Sequence, residues 1–136
     1  MDISNFINEV EKWTREQDTI HALILVDSYG NGENREDSHV DLQLITTTPK
    51  LYIDNPSFVN NFGVVVQSKI EKHGIVNSIR IWYSNGLEVE FRITTPIWIS
   101  TPLEEDTRKV LSNGYKVIID NKNYFKKIGI NSFERN

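Results

Sequence analysis

The chain has 136 residues, of which 38% are hydrophobic and 25% are charged, and its formal net charge is −4. This length predicts a single domain over residues 1–136 that buries a substantial core. The acidic balance disfavours a general nucleic-acid binder, because neutralising phosphates needs a basic surface and the chain has no basic run beyond Lys126-Lys127.

Missing residue types and patterns narrow the expected chemistry further. The absence of cysteine excludes disulfides, thiolate catalysis and cysteine metal sites. The histidines His21, His39 and His73 lack the spacing of a classical zinc site. With no signal-peptide pattern and no apolar run near the roughly 18 residues of a membrane span, we expect a cytoplasmic protein that does not bind membranes.

A helix and a buried strand are predicted first in chain order. An amphipathic helix over residues 3–17 is indicated by apolar residues at helical spacing, with the last of them packing on the core: Ile3, Phe6, Ile7, Val10 and Trp13. The nearly uninterrupted apolar run over residues 20–26 is typical of a central strand covered on both faces. His21 is expected to be a strand-edge residue.

A polar loop over residues 27–38 follows, and its Gly30 and Gly32 permit positive φ or a close approach of the backbone to a ligand. The next strand alternates between two faces. Its core face is predicted to carry Val40, Leu42 and Leu44. Its polar face is predicted to carry His39, Asp41 and Gln43.

The middle of the chain predicts a loop over residues 46–56, with Phe58 and Phe62 packing beneath it. A strand over residues 63–69 and a turn over residues 71–74 are expected next. A hairpin over residues 75–93 comes after them. A three-residue loop, Ser84-Asn85-Gly86, keeps the apolar residues of both hairpin strands on one face.

That hairpin register predicts three cross-strand pairs: Ile81 with Val89, Ile79 with Phe91 and Arg80 with Glu90. A capping box over residues 101–104, with proline at the first helical position, predicts a helix ending near Ser112 at Asn113-Gly114. A short strand over residues 115–119 and a helical segment over residues 124–128 complete the expected order.

The segment over residues 23–45 resembles the signature of the nucleotidyltransferase superfamily: an apolar strand ending in Gly-Ser, a loop, then Ser-Asp-x-Asp-apolar. Ser28-Tyr29-Gly30 and Ser38-His39-Val40-Asp41-Leu42 carry the resemblance. Asp27 stands where the family has glycine, and His39 stands where it has the first aspartate. Leu87-Glu88-Val89-Glu90-Phe91 and the region from Trp98 to Asp120 are also similar to small bacterial members of the family.

The resemblance implies an α+β fold in which a mixed β-sheet is flanked by helices. It implies transfer of a nucleoside monophosphate from an NTP to a hydroxyl of an unknown acceptor, with Mg²⁺ or Mn²⁺ as cofactor. Asp41 and Glu90 would be catalytic and bind metal, with Asp27 and His39 altering the metal site. The nucleotide would contact Ser28, Gly30 and Ser38, and Arg80 would support Glu90.

Histidine is a poor Mg²⁺ ligand, so His39 is expected to weaken metal binding. Asp27 adds negative charge near the expected phosphates, so both substitutions in the signature are expected to affect catalysis. One alternative is a catalytically inactive relative that binds a nucleotide or a protein partner. Without the resemblance, Asp41 would be a solvated polar residue and Arg80–Glu90 a surface ion pair contributing less than ~1 kcal/mol. A second copy of the chain or a protein partner could complete an open cleft.

Overall fold

The computed structural model describes residues 3–26 and 39–128. Within these ranges six strands form one sheet in the order β3-β4-β5-β2-β1-β6. The strands are β1 (Ile20–Val26), β2 (His39–Thr46), β3 (Val65–His73), β4 (Val76–Tyr83), β5 (Glu88–Thr94) and β6 (Tyr115–Asp120). Here β2 and β5 are parallel and the other neighbouring pairs are antiparallel. The sheet is mixed and flanked by helices, which confirms the predicted α+β class.

The helices of the described ranges pack on both faces of this sheet. They are α1 (Ile3–Arg15), α2 (Lys50–Ile53), α3 (Glu105–Ser112) and α4 (Tyr124–Ile128), with 3-10 helices over Pro56–Phe62 and Pro96–Ile99. No helix in this part of the chain has the length and apolar character needed to cross a membrane.

Helix α1 covers one sheet face through its buried Phe6 and Val10, and it ends two residues before the predicted limit. The predicted packing role of Trp13 is confirmed, since its ring stacks on Phe58 with centroids 5.0 Å apart. Phe62 meets Trp13 edge to face at 5.8 Å. Aromatic rings therefore join α1 to the 3-10 helix over Pro56–Phe62.

Strands β1 and β2 follow the predicted patterns. The apolar side chains of β1 are buried, as expected for a central strand. On β2, the predicted core residues Val40, Leu42 and Leu44 all belong to the cluster beneath α1. His21, predicted as a strand-edge residue, makes a 2.9 Å Nδ1 contact with the hydroxyl of Tyr124.

The predicted hairpin register is confirmed. Ile79 pairs with Phe91, Arg80 with Glu90, and Ile81 with Val89. Tyr83 and Leu87 flank the loop, and the backbone N–H of Tyr83 donates to the Leu87 carbonyl at 2.9 Å. The loop thus contains the three predicted residues 84–86.

One strand boundary and one additional helix in the middle of the chain differ from the predictions. Strand β3 continues to His73, so the predicted turn over residues 71–74 is wrong, and the chain turns at Gly74-Ile75. The polar residues of β3 are tolerated because the strand lies at the edge of the sheet. A short helix, α2, also forms inside the predicted loop over residues 46–56.

The predicted capping box is also wrong. Helix α3 begins at Glu105, its N-cap is Glu104, and no side chain caps it. Leu103 is buried against the cluster that contains Trp98, so the preceding segment is used for packing. The predicted end at Ser112, strand β6 and the final helical segment α4 are confirmed.

Candidate active site

The parallel pairing of β2 with β5 brings the predicted acidic residues together. Asp41 lies beside Glu90, and His39 lies beside Glu88. Alternation along each strand places all four on the sheet face opposite the Val40 and Leu42 core. Strand polarity and register therefore produce a cluster from residues that are far apart in sequence.

His39, Asp41 and Glu90 form the tightest part of this cluster. Each offers one potential metal-ligand atom, and these atoms lie within 4.8 Å of one another. His39 Nε2 is 2.9 Å from Asp41 Oδ1. The His39 side chain is 26% exposed and that of Asp41 is 11% exposed, so the cluster opens to solvent on the His39 side.

The donor set of one imidazole and two carboxylates suits a divalent ion that accepts nitrogen as well as oxygen ligands better than it suits Mg²⁺. Magnesium prefers an oxygen-only octahedron that retains several waters. His39 lies in this potential donor set, and its effect on metal preference stays a prediction.

Glu90 is buried, being only 7% exposed. Its Oε1 accepts a hydrogen bond from Arg80 Nη2 at 3.2 Å, and its Oε2 accepts one from Ser78 Oγ at 2.6 Å. Arg92 Nη1 lies 3.7 Å from the same Oε2. Both carboxylate oxygens thus have donors, and the alternative of a solvated Arg80–Glu90 surface pair is wrong.

Arg80 connects this carboxylate to the start of β2 and β5. Its Nη1 donates to Glu88 Oε2 at 2.8 Å and lies 3.5 Å from His39 Nε2. Burial alone would lower the pKa of Arg80, but the hydrogen bond with Glu88 and the charges of Glu90, Glu88 and Asp41 together raise it. The guanidinium therefore keeps its positive charge.

The two contacts of His39 Nε2 require different proton positions. Nε2 donates when it carries a hydrogen and accepts from Arg80 when it does not. The 3.5 Å contact with Arg80 has hydrogen-bond geometry, with Nε2 as the acceptor, whereas the 2.9 Å approach to Asp41 Oδ1 is an ion-pair distance. A metal ligand at Nε2 would require the neutral tautomer that carries its hydrogen on Nδ1.

Deeper on the same face, Arg92 Nε donates to Gln43 Oε1 at 2.8 Å. Gln43 is fully buried, and its Nε2 has no hydrogen-bond partner among the residues that the structure describes. Sequence reasoning gave no site role to Ser78 or Arg92. The register contained the signal, since these two residues pair with each other one step beyond Arg80 and Glu90 on the same face.

A cavity of about 290 Å³ lies beside Arg92, at the end of the cluster away from His39. The buried Trp98 forms part of its wall, and α3 contributes Asp106, Thr107 and Lys109. The cluster and this cavity therefore share the Arg92 side chain.

The structure thus brings together four of the predicted site residues: His39, Asp41, Arg80 and Glu90. The other predicted site residues lie outside the described residues: Asp27, Ser28, Gly30 and Ser38. The described residues that flank this segment are Val26 and His39. Val26 pairs with Asp41 in the sheet.

The architecture is a nucleotidyltransferase-like fold. The crystal structure of an aminoglycoside 6-adenyltransferase from Bacillus subtilis is similar, with a TM-score of 0.57 and 12% sequence identity. The match covers 70% of this chain and 35% of the adenyltransferase, so the chain spans about a third of that protein's length. No protein-family profile and no characterised protein sequence matches the chain.

Proposed function

We propose that the protein transfers a nucleoside monophosphate from an NTP to a hydroxyl of a small-molecule or protein acceptor. The observation that carries the proposal is the His39–Asp41–Glu90 cluster on the β2–β5 face of a nucleotidyltransferase-like sheet. In the reaction, the acceptor hydroxyl releases its proton to water and its oxygen bonds to the α-phosphorus. The bond from that phosphorus to the oxygen bridging the α- and β-phosphates breaks, and pyrophosphate leaves.

In this proposal, Asp41 and Glu90 are the catalytic carboxylates and, with His39, the potential metal ligands. Bound there, a divalent ion would neutralise phosphate charge and lower the pKa of the attacking hydroxyl. The donor set favours Mn²⁺ over Mg²⁺. Arg80 is a supporting residue that orients Glu90 through the 3.2 Å hydrogen bond.

The nucleotide would be held by residues 27–38, between β1 and β2, where the sequence predicts a loop. We propose Ser28, Gly30 and Ser38 as triphosphate contacts and Asp27 as a further carboxylate near the ion, on the strength of the sequence resemblance. Loop glycines allow a backbone to approach phosphates closely. The position of β2 supports this assignment, since its first residue, His39, belongs to the cluster.

A second candidate is a catalytically inactive relative that binds a nucleotide or a protein partner. The observation in its favour is that Glu90 already has donors from Arg80 and Ser78, which reduces its availability to metal. In either case, a second copy or a protein partner would add substrate-binding surface at the His39 side of the cluster, which is open to solvent.

Titration of purified protein with ATP, GTP, CTP and UTP, each with Mn²⁺ or Mg²⁺, tests the proposal. Calorimetry measures binding, and a pyrophosphate assay with candidate acceptors measures turnover. We expect Mn²⁺-dependent binding that Asp41→Asn weakens about tenfold or more, a loss typical of a disrupted metal site. Asp18→Asn is the control with the same charge change, because Asp18 is exposed in the turn before β1.

The outcomes separate the candidates. Pyrophosphate release from the wild type, lost in Asp41→Asn without loss of folding, supports the transferase. Tight NTP binding without release with any acceptor supports the inactive relative. Equal metal–NTP binding by the wild type and Asp41→Asn contradicts the role proposed for Asp41.

A further inference from the structure

We infer that the Arg80 guanidinium, while it orients Glu90, also competes with a divalent ion for that carboxylate, which makes Glu90 the weakest of the three proposed ion ligands and His39 and Asp41 the main ones. The inference rests on the proposed function, because it concerns the same cluster. It goes further by predicting unequal roles for two carboxylates that lie side by side in the sheet.

The first argument is that every oxygen of Glu90 is already used. Oε1 accepts from Arg80, and Oε2 accepts from Ser78 with Arg92 close by. Glu90 is also buried, so water cannot readily replace a lost donor. An ion that bound Glu90 would have to displace the Arg80 guanidinium from this buried carboxylate.

The second argument is that Arg80 is held by more than Glu90. Its Nη1 donates to Glu88 at 2.8 Å, and its backbone is fixed opposite Glu90 by the β4–β5 register. Its side chain is only 23% exposed. Displacement from Glu90 would therefore leave the guanidinium next to the incoming ion, where the two positive charges repel.

The third argument is chemical and concerns the difference between histidine and arginine. When neutral His39 carries its hydrogen on Nδ1, its Nε2 can be a ligand beside Asp41 Oδ1, which lies 2.9 Å away. The guanidinium stays protonated and offers donors only. The His39–Asp41 pair can thus become a pair of ligands, whereas the Arg80–Glu90 pair cannot.

The local charge agrees with this division. Among the described side chains of the cluster, Asp41, Glu88 and Glu90 face Arg80 and Arg92, which leaves one net negative charge when His39 is neutral. One divalent ion would bring the total charge of these residues and the ion to about +1, and a second would bring it to about +3, so the cluster favours one ion over two.

The test measures binding of Mn²⁺ alone to the full chain, without nucleotide, from the electron paramagnetic resonance signal of free Mn²⁺. We expect Asp41→Asn to weaken binding about tenfold or more, and Glu90→Gln to weaken it less than about twofold. We expect Arg80→Gln to tighten binding about tenfold, because it removes the competing charge. In that background, Glu90→Gln should cost about tenfold.

Arg15→Gln is the matched control, because Arg15 also pairs with a glutamate but lies exposed on α1. It should leave Mn²⁺ affinity unchanged. Thermal unfolding checks each variant, and if Arg80→Gln does not fold, the comparison of Glu90→Gln with Asp41→Asn still decides. The inference is overturned if Glu90→Gln and Asp41→Asn weaken binding equally, or if folded Arg80→Gln binds Mn²⁺ no more tightly than the wild type. It is also overturned if neither the wild type nor Arg80→Gln binds Mn²⁺.

Omitting the nucleotide keeps this result separate from the proposed function. A wild type that shows the expected Mn²⁺ pattern but binds no NTP would contradict the transferase and support the role of Arg80. A wild type that releases pyrophosphate, yet loses Mn²⁺ affinity equally in Glu90→Gln and Asp41→Asn, would support the transferase and contradict the role of Arg80.

Discussion

Asp41 and Glu90 lie side by side in the parallel register of β2 and β5, and their side chains project from the same sheet face. Adjacent strands are about 4.8 Å apart, so two ionised carboxylates at this spacing repel each other. His39 contacts Asp41, and Arg80 contacts Glu90. The different partners make the two acids chemically unequal.

We expect Ser78→Ala to lower the free energy of unfolding by about 1.5–3 kcal/mol, because it removes a buried donor to a carboxylate. The Ser78 hydroxyl donates to Glu90 Oε2 at 2.6 Å. Urea unfolding followed by fluorescence measures the change. Ser112→Ala is the matched control, since the Ser112 hydroxyl donates to the Lys109 carbonyl at an exposed position. Equal losses in the two variants would contradict the assignment.

Strand alternation was enough to predict the β4–β5 part of the cluster, whereas the parallel pairing of β2 with β5 was seen only in the structure. Once Ile79 and Ile81 were placed with Phe91 and Val89, period two fixed Arg80 opposite Glu90. The burial of Glu90 could not be predicted in the same way. It depends on the packing that surrounds the sheet face, which sequence alternation does not encode.

The errors at element boundaries have the same origin. The charged residues before Gly74 indicated a turn, but an edge strand accommodates them because both of its faces are largely exposed. The sequence before α3 satisfied a capping box, but burial of Leu103 keeps that segment out of the helix. In both places, tertiary position outweighed a local preference.

We expect Tyr83→Phe to lower the free energy of unfolding by about 1–2 kcal/mol near pH 8, because the Val59 carbonyl loses a buried donor. The Tyr83 hydroxyl donates to that carbonyl at 2.7 Å. Chemical unfolding at fixed pH measures the difference. Phenylalanine keeps the ring that packs against Phe6, so the hydroxyl is the group under test.

Comparing the wild type with Tyr83→Phe also tests how stability depends on pH. Burial raises the pKa of Tyr83 above its ordinary value of 10.0, so the folded state holds the phenol proton after the unfolded state releases it. This contribution to stability is complete below pH 10 and declines as the pH rises further. The wild type should therefore lose its advantage over Tyr83→Phe in alkaline solution. A constant difference up to pH 11 would contradict the raised pKa.

We expect Gly63→Ala to cost about 1–3 kcal/mol, the usual range for overpacking a filled site. A Cβ at residue 63 would lie 2.9 Å from Tyr83 Cδ1, and the ring is fixed by its hydrogen bond to Val59. Gly74→Asn is the comparison. Gly74 has a φ of 64° with no heavy atom within 4 Å of an added Cβ, and asparagine tolerates this region. Thermal unfolding should rank Gly63→Ala as clearly the less stable variant.

We expect Thr107→Val to lower the free energy of unfolding by about 1–3 kcal/mol, because a buried carbonyl loses its donor while side-chain volume is kept. The Thr107 hydroxyl donates to the Trp98 carbonyl at 2.8 Å and joins α3 to the 3-10 helix over Pro96–Ile99. Urea unfolding measures the change. Thr107→Ser keeps the donor and loses one methyl group, so it should cost only about 1 kcal/mol. If serine is the more damaging substitution, methyl packing rather than the hydrogen bond holds α3 beside the Arg92 cavity.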